Sequence, residues 1–151
     1  MGRIYRLVPD DYQKTSVKPQ MLAMSSKQLI PYLGHKNGWY RSTARKLLIL
    51  RNQKDIVSDL THAFEGSEET QEKIEILWTL DGLNSVDPAM LISTIKSSDS
   101  RLAVHALRIS DSLLAQSNSD ILKIYQEISD KSENPALLIQ AFLSMKTFGP
   151  R

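Results

Sequence analysis

The chain has 151 residues, of which 41% are hydrophobic and 24% charged, and it contains no cysteine. This balance excludes a disordered chain, and the lack of cysteine excludes disulfides, thiolate metal sites, covalent haem attachment and a cysteine nucleophile. Residues 1–54 carry 11 Lys+Arg against 2 Asp+Glu, and residues 55–151 carry 8 against 15. The net charge of +2 is therefore the sum of a segment of +9 and a segment of −7. Such a split either steers unlike partners to opposite ends or places a basic end against a neighbouring domain.

The first 24 residues differ from the rest. Residues 3–8, Arg-Ile-Tyr-Arg-Leu-Val, alternate polar and apolar side chains and stop at Pro9, which predicts a strand. A lone strand has no partner in a helical chain, so residues 1–24 are predicted to be an extended remnant of a preceding domain followed by a linker over 10–24. The opening residues lack the apolar stretch of a signal peptide. This favours either a cytosolic protein or a piece of a longer precursor.

Residues 25–151 are predicted to form helices throughout. Apolar side chains recur at helical spacing, as in Leu102, Ala106 and Ile109. Capping patterns set the boundaries: Ser25 with Gln28, Asp87-Pro88, Asn134-Pro135 and Ser67 at helix starts, and Gly34, Gly66 and Gly82 at helix ends. The predicted helices span 26–33, 39–51, 54–65, 68–81, 88–97, 100–115, 119–130 and 135–147.

The helices fall into repeated pairs. The second helix of each pair carries a small or apolar residue at an equivalent point, Ala44, Ile76, Ala106 and Ala141, with separations of 32, 30 and 35 residues. Repeated helical hairpins must stack on their neighbours to bury their apolar faces. The sequence therefore predicts an all-α fold, a HEAT-like or armadillo-like α-α superhelix of about four hairpins over residues 25–151.

Several segments resemble one bacterial protein family. The segments are GRIYRLVP, LIPYLGHKNGWYRSTARKLLILRNQKD and ILWTLDGLNSVDPAMLISTIKSSDSRLAVHALRISD. They are similar to putative membrane-bound dehydrogenases, or haem-binding C-x-x-C-H proteins, with a sorbosone-dehydrogenase-like β-propeller. The resemblance implies that the strand closes such a propeller and that the helices are the HEAT repeats after it. The resemblance implies a periplasmic or secreted parent that is an oxidoreductase. It also implies that haem c is bound elsewhere in the parent, since the C-x-x-C-H motif is absent here.

The candidate interaction surface is the basic stripe of the first hairpin. Arg41 and Arg45 lie one helical turn apart and Lys46 follows them, which suits a phosphate, a nucleic-acid backbone or an acidic protein surface. The alternative is a solvated helix face. Trp39 and His105 complete the candidate surface, Trp39 as an exposed anchor or a cover for the hairpin, and His105 beside the core stripe of its helix.

No pattern in the sequence indicates a catalytic centre, a cofactor site or a metal site. The three histidines lie in different hairpins, and the chain has no G-x-S-x-G elbow, P-loop or G-x-G-x-x-G motif. Glu72 and Glu75 are predicted to be a solvated pair at a helix start. The predicted function is a non-catalytic interaction or spacer module whose first partner is an adjacent β-propeller, with nucleic acid disfavoured. Two alternatives stay open: a free-standing scaffold with a basic groove, and a domain that lends residues to the parent enzyme's active site.

Overall fold

The structure of the chain, a computed structural model, describes residues 9–11, 20–116 and 118–148. Within these ranges every regular element is a helix, which confirms the all-α prediction. The strand predicted over residues 3–8 and most of the predicted linker lie outside the described residues, so both stay predictions.

The helices follow the predicted order closely. They are α1 (Ser26–Leu29, continued by the 3-10 turn Ile30–Gly34), α2 (Gly38–Arg51), α3 (Val57–Gly66, preceded by the 3-10 turn Lys54–Ile56), α4 (Thr70–Gly82), α5 (Pro88–Ile95), α6 (Ser100–Ile109), α7 (Asp111–Ala115), α8 (Ser119–Lys131) and α9 (Pro135–Phe148).

One predicted helix is divided. The span 100–115 breaks at Ser110, whose ψ of −2° departs from the helical value. The carbonyl oxygen of Leu107 lies 2.7 Å from the Ser110 hydroxyl and 2.9 Å from the Tyr125 hydroxyl, and accepts hydrogen bonds from both. These two hydroxyls compete for the Leu107 carbonyl with the backbone N–H that would donate to it in a continuous α-helix. Helix α6 therefore ends here, and α7 begins.

Most predicted start signals are confirmed. Ser25 and Gln28 form a reciprocal capping box, the Asp87 carboxylate accepts from the amides of Ala89 and Met90, and Asn134 caps α9. The prediction for Ser67 is wrong. Its hydroxyl accepts from the Glu69 amide, and α4 begins at Thr70 without a side-chain cap.

The helices end at the predicted glycines, but not by the predicted mechanism. None of the described glycines has a positive φ; Asn52 and Asn84, both at φ 49°, adopt the left-handed conformation instead. Gly82 is needed for a different reason. A Cβ there would lie 2.5 Å from Cδ1 of Ile49, so its missing side chain lets α4 approach α2.

The core lies along a row of second helices. Helix α2 packs on α4, α4 on α6, and α6 on α9. The four equivalent residues, Ala44, Ile76, Ala106 and Ala141, are all buried in these contacts, as the repeat alignment requires. The first helices pack mainly against their own partners, α3 on α4, α5 on α6 and α8 on α9. The HEAT-type superhelix itself stays a prediction.

Candidate interaction surfaces

Ion pairs join α2 to α4. Glu75 is 7% exposed, and its Oε2 accepts a hydrogen bond of 2.8 Å from Nη1 of Arg45. Its Oε1 lies 3.6 Å from Nε of Arg41. The Arg41 guanidinium also donates to the carbonyl oxygens of His35 and Lys36, at 2.7 and 3.0 Å. Both guanidiniums therefore bind groups of the chain itself.

A second set of polar contacts joins α4 to α6. Gln71 donates to Oε1 of Glu75 at 3.3 Å, and its own Oε1 accepts from Arg101 at the same distance. The Trp78 indole Nε1–H donates to Nδ1 of His105 at 3.1 Å. The contacts of Glu75 and Gln71 thus connect α2, α4 and α6, and the Trp78–His105 pair is a separate contact between α4 and α6. We call these residues the second-helix face: Arg41, Arg45, Gln71, Glu75, Trp78, Arg101 and His105.

The lowered pKa of His105 is consistent with its hydrogen bond from Trp78. Burial is the main cause that lowers the pKa of His105, with smaller contributions from the charges of Arg101 and Arg108, while Glu75 acts in the opposite direction. A lowered pKa keeps the imidazole neutral near pH 7. Only a neutral imidazole leaves Nδ1 free to accept the Trp78 hydrogen bond.

The opposite side of α2 is apolar and exposed. Trp39 and Leu50 are 55% and 69% exposed, and they lie on the side of the helix opposite the buried Ala44 and Leu48. Together with Leu22, they line a cleft of about 710 Å³. Arg51 fixes the chain around Leu22, because its guanidinium donates to the Leu22 and Met24 carbonyls at 3.0 and 2.7 Å. We call Leu22, Trp39, Lys46 and Leu50 the α2 end face.

Helix α9 closes the other end of the row in the same way. Ala141 and Ser144 are buried against the rest of the chain, whereas large apolar side chains cover the outer surface. Ile139, Phe142 and Leu143 are 61%, 62% and 56% exposed, and they recur at i, i+3 and i+4 along one side of the helix. We call these three residues the α9 end face.

The structure thus divides the predicted surface into separate parts. Arg41 and Arg45 lie on the flank of α2 that faces α4, Lys46 and Trp39 lie on the α2 end face, and His105 lies on α6. Consecutive helical residues point about 100° apart, so Arg45 and Lys46 cannot share one face. Whether any of these residues contacts a partner stays a prediction.

Sequence reasoning missed two features of these surfaces. Glu75 was expected in solvent but is buried, and the expectation is wrong because α2 supplies both of its cationic partners. Its place inside the apolar run Ile74-Glu75-Ile76-Leu77 was the available signal, since buried carboxylates are normally paired. The α9 end face gave no signal, because the pattern Leu-Leu-Ile-Gln-Ala-Phe-Leu is apolar on every side.

The described residues contain no group of three or more His, Asp or Glu side chains arranged to hold a metal ion. In this part of the chain no helix combines the length and apolar character of a membrane span. The chain matches no protein-family model. No curated protein and no solved structure is significantly similar to it.

Proposed function

We propose that the chain is a non-catalytic helical-repeat interaction or spacer module that docks neighbouring domains at the ends of its helical row. The observation that supports this proposal is the exposure of large apolar side chains at both ends, Leu50 and Trp39 on α2 and Phe142 and Leu143 on α9. Helix α4, which lies inside the row, exposes no large apolar side chain. The positions 32 residues after Trp39, Lys46 and Leu50 are Gln71, Trp78 and Gly82, and the first two of these contact α6.

The physical reason comes from how repeat stacks stay soluble. A terminal repeat that faces water carries a polar outer surface. Complete burial of a fully exposed large apolar side chain contributes on the order of 1.5–3 kcal/mol. The apolar side chains of the end faces are more than half exposed, so each contributes roughly half of that range on docking, and several in one face still give a driving force. We therefore propose that each end face is an interface rather than a solvated surface.

The family resemblance suggests the first partner. In that family a β-propeller precedes the helices, so the α2 end face, which lies at the N-terminal end of the row, is our proposed site for it. Lys46 at this face and the +9 balance of residues 1–54 would suit a propeller surface with acidic groups around an apolar centre. The parent protein would then act outside the cytoplasm.

The ion pairs argue against the basic-groove alternative. Arg41 and Arg45 share the buried carboxylate of Glu75, which neutralises part of the charge that a polyanion would need. The exposed apolar faces have no comparable internal partner among the described residues. Docking at the end faces is therefore better supported than polyanion binding on the second-helix face.

The test begins with the reading frame on the N-terminal side of this segment. The domain encoded there is produced separately, and its binding to this chain is measured by calorimetry at low and high salt. Leu50→Glu should weaken binding at least tenfold. Phe142→Glu, a matched change at the far end of the row, should leave it unchanged. Apolar docking should also survive high salt, unlike a phosphate contact.

Three results would contradict the proposal. An upstream region without a propeller removes the proposed partner, and binding that ignores Leu50→Glu removes the proposed site. The third result concerns the enzyme alternative. If Arg45→Ala or His105→Ala strongly lowers the parent's turnover per bound substrate and Leu50→Glu does not, the second-helix face contributes to the active site. The module is then more than a spacer.

A further inference from the structure

A small cleft lies where helices α4 and α6 end. Its volume is about 220 Å³. Leu91, Ile109 and Leu113 provide apolar wall, and Asp81 lines the same cleft. The cleft is separate from the second-helix face and from both end faces.

Asp81 is a carboxylate without a cationic partner. No ion pair or side-chain hydrogen bond joins it to another described residue, although it is half-buried. Burial alone raises the pKa of Asp81, and no neighbouring positive charge offsets that effect. A carboxylate in such a position gains free energy when a cation binds beside it.

The helix ends add to this preference. Asp81 lies in the last turn of α4, where the backbone carbonyls carry partial negative charge and a cation is favoured over an anion. That turn contains no basic residue. Helix α6 also ends at the cleft, through Ile109, while its last-turn Arg108 is exposed and lines a different pocket. The local charge thus favours a positive ligand.

The polar rim offers hydrogen-bond acceptors beside the carboxylate. Asn84, Ser112 and Gln116 line the cleft together with Asp81. An alkylammonium group has three N–H donors at the tip of an apolar stem. Such a group matches a carboxylate and side-chain oxygens at the rim and apolar side chains on the wall.

We propose that this cleft binds a primary alkylammonium group, with the ammonium on Asp81 and the rim oxygens and the methylenes against Leu91, Ile109 and Leu113. The group can belong to a free amine or to a lysine side chain of a bound protein. Both sources present the same ammonium group on an apolar stem, and titration with a lysine peptide distinguishes them.

The experiment is an NMR titration of the ¹⁵N-labelled full chain at pH 7 and constant ionic strength. We expect n-butylammonium to cause saturable shifts at the amides of Asn84, Ser112 and Gln116. 1-Butanol, which has a similar shape without the charge, should bind at least tenfold more weakly. A Gly-Lys-Gly peptide with blocked ends tests the lysine source: binding as tight as that of butylammonium assigns the cleft to a partner's lysine, and weaker binding assigns it to a free amine.

Two variants and one control decide the role of the carboxylate. Asp81→Asn should weaken butylammonium binding at least tenfold, whereas Asp130→Asn, at an exposed position on α8, should not change it. Ser112→Trp, at an exposed rim position, should block the cleft without entering the core. Equal binding by Asp81→Asn, equal binding of 1-butanol, or shifts that never saturate and follow all acidic residues would each overturn the proposal.

Discussion

Replacing Glu75 by Gln tests whether the contact between α2 and α4 depends on charge. The substitution keeps the side-chain shape and one acceptor oxygen but removes the negative charge that faces Arg41 and Arg45. Gln71 would still donate to the remaining oxygen, as it does to Glu75 at 3.3 Å. Any loss of stability therefore reports mainly on the two ion pairs.

The magnitude follows from burial. Breaking a fully buried ion pair costs about 3–5 kcal/mol, and an exposed pair is worth about 0.2–1 kcal/mol. The side chain of Glu75 is 9% exposed, but those of Arg41 and Arg45 are 20% and 36% exposed, so both pairs are partly screened by water. We expect a loss of about 2 kcal/mol, which lowers the melting temperature by about 4–8 °C for a chain of this size.

The assay is urea unfolding followed by circular dichroism, with the midpoint and the slope compared between variants. Glu127→Gln is the matched control, because it removes the same charge from an exposed pair with Lys96 at 4.0 Å. Its expected loss is about 0.5 kcal/mol or less. If the two substitutions lower the free energy of unfolding equally, burial does not strengthen the ion pairs of Glu75.

A second readout connects this pair to function. Loss of the Glu75 charge should make Arg41 and Arg45 available, so Glu75→Gln should elute from heparin at higher salt than the native chain. Glu127→Gln has the same net charge and should elute earlier than Glu75→Gln. Equal elution would show that the two guanidiniums do not set polyanion affinity.

Three further predictions concern single positions. Gly82→Ala should lower the free energy of unfolding by about 1 kcal/mol in urea, because a clash with Ile49 outweighs the gain in helix propensity. Gly66→Ala is the control: its Cβ would meet no atom within 4 Å, so the substitution should be neutral or stabilising. The pKa of His105 is lowered in the folded chain, so stability should fall as pH drops below about 6.5, and His105→Gln should reduce that slope in melting curves. The pKa of Asp81 is raised in the folded chain, so the ionised carboxylate destabilises the fold at pH 7. Asp81→Asn should therefore raise the melting temperature at pH 7. The difference should disappear below about pH 3.9, where both side chains are neutral. A melting temperature that is unchanged or lower at pH 7 would contradict this account of Asp81.

The order of the helices was predictable because their signals are local. Helical periodicity, the Ser25 capping box and the proline after Asp87 depend on residues within about one turn, so the sequence alone places these boundaries. The break at Ser110 was not predictable in this way. Of the two hydroxyls that donate to the Leu107 carbonyl at this break, the one of Tyr125 comes from another helix.

The candidate surfaces likewise combine features that local sequence determines with features that depend on contacts between distant residues. The sequence by itself determined that the described residues from Ser26 onwards are mainly helical, that Ala44, Ile76, Ala106 and Ala141 are core positions, and that positive charge collects in the first hairpin. Only the tertiary structure decided which charges are already paired, because the partner of Arg45 is 30 residues away on α4. Which apolar surfaces stay exposed on α2 and α9 was likewise decided by packing, since a helix that is apolar on several sides does not indicate which side its neighbour covers.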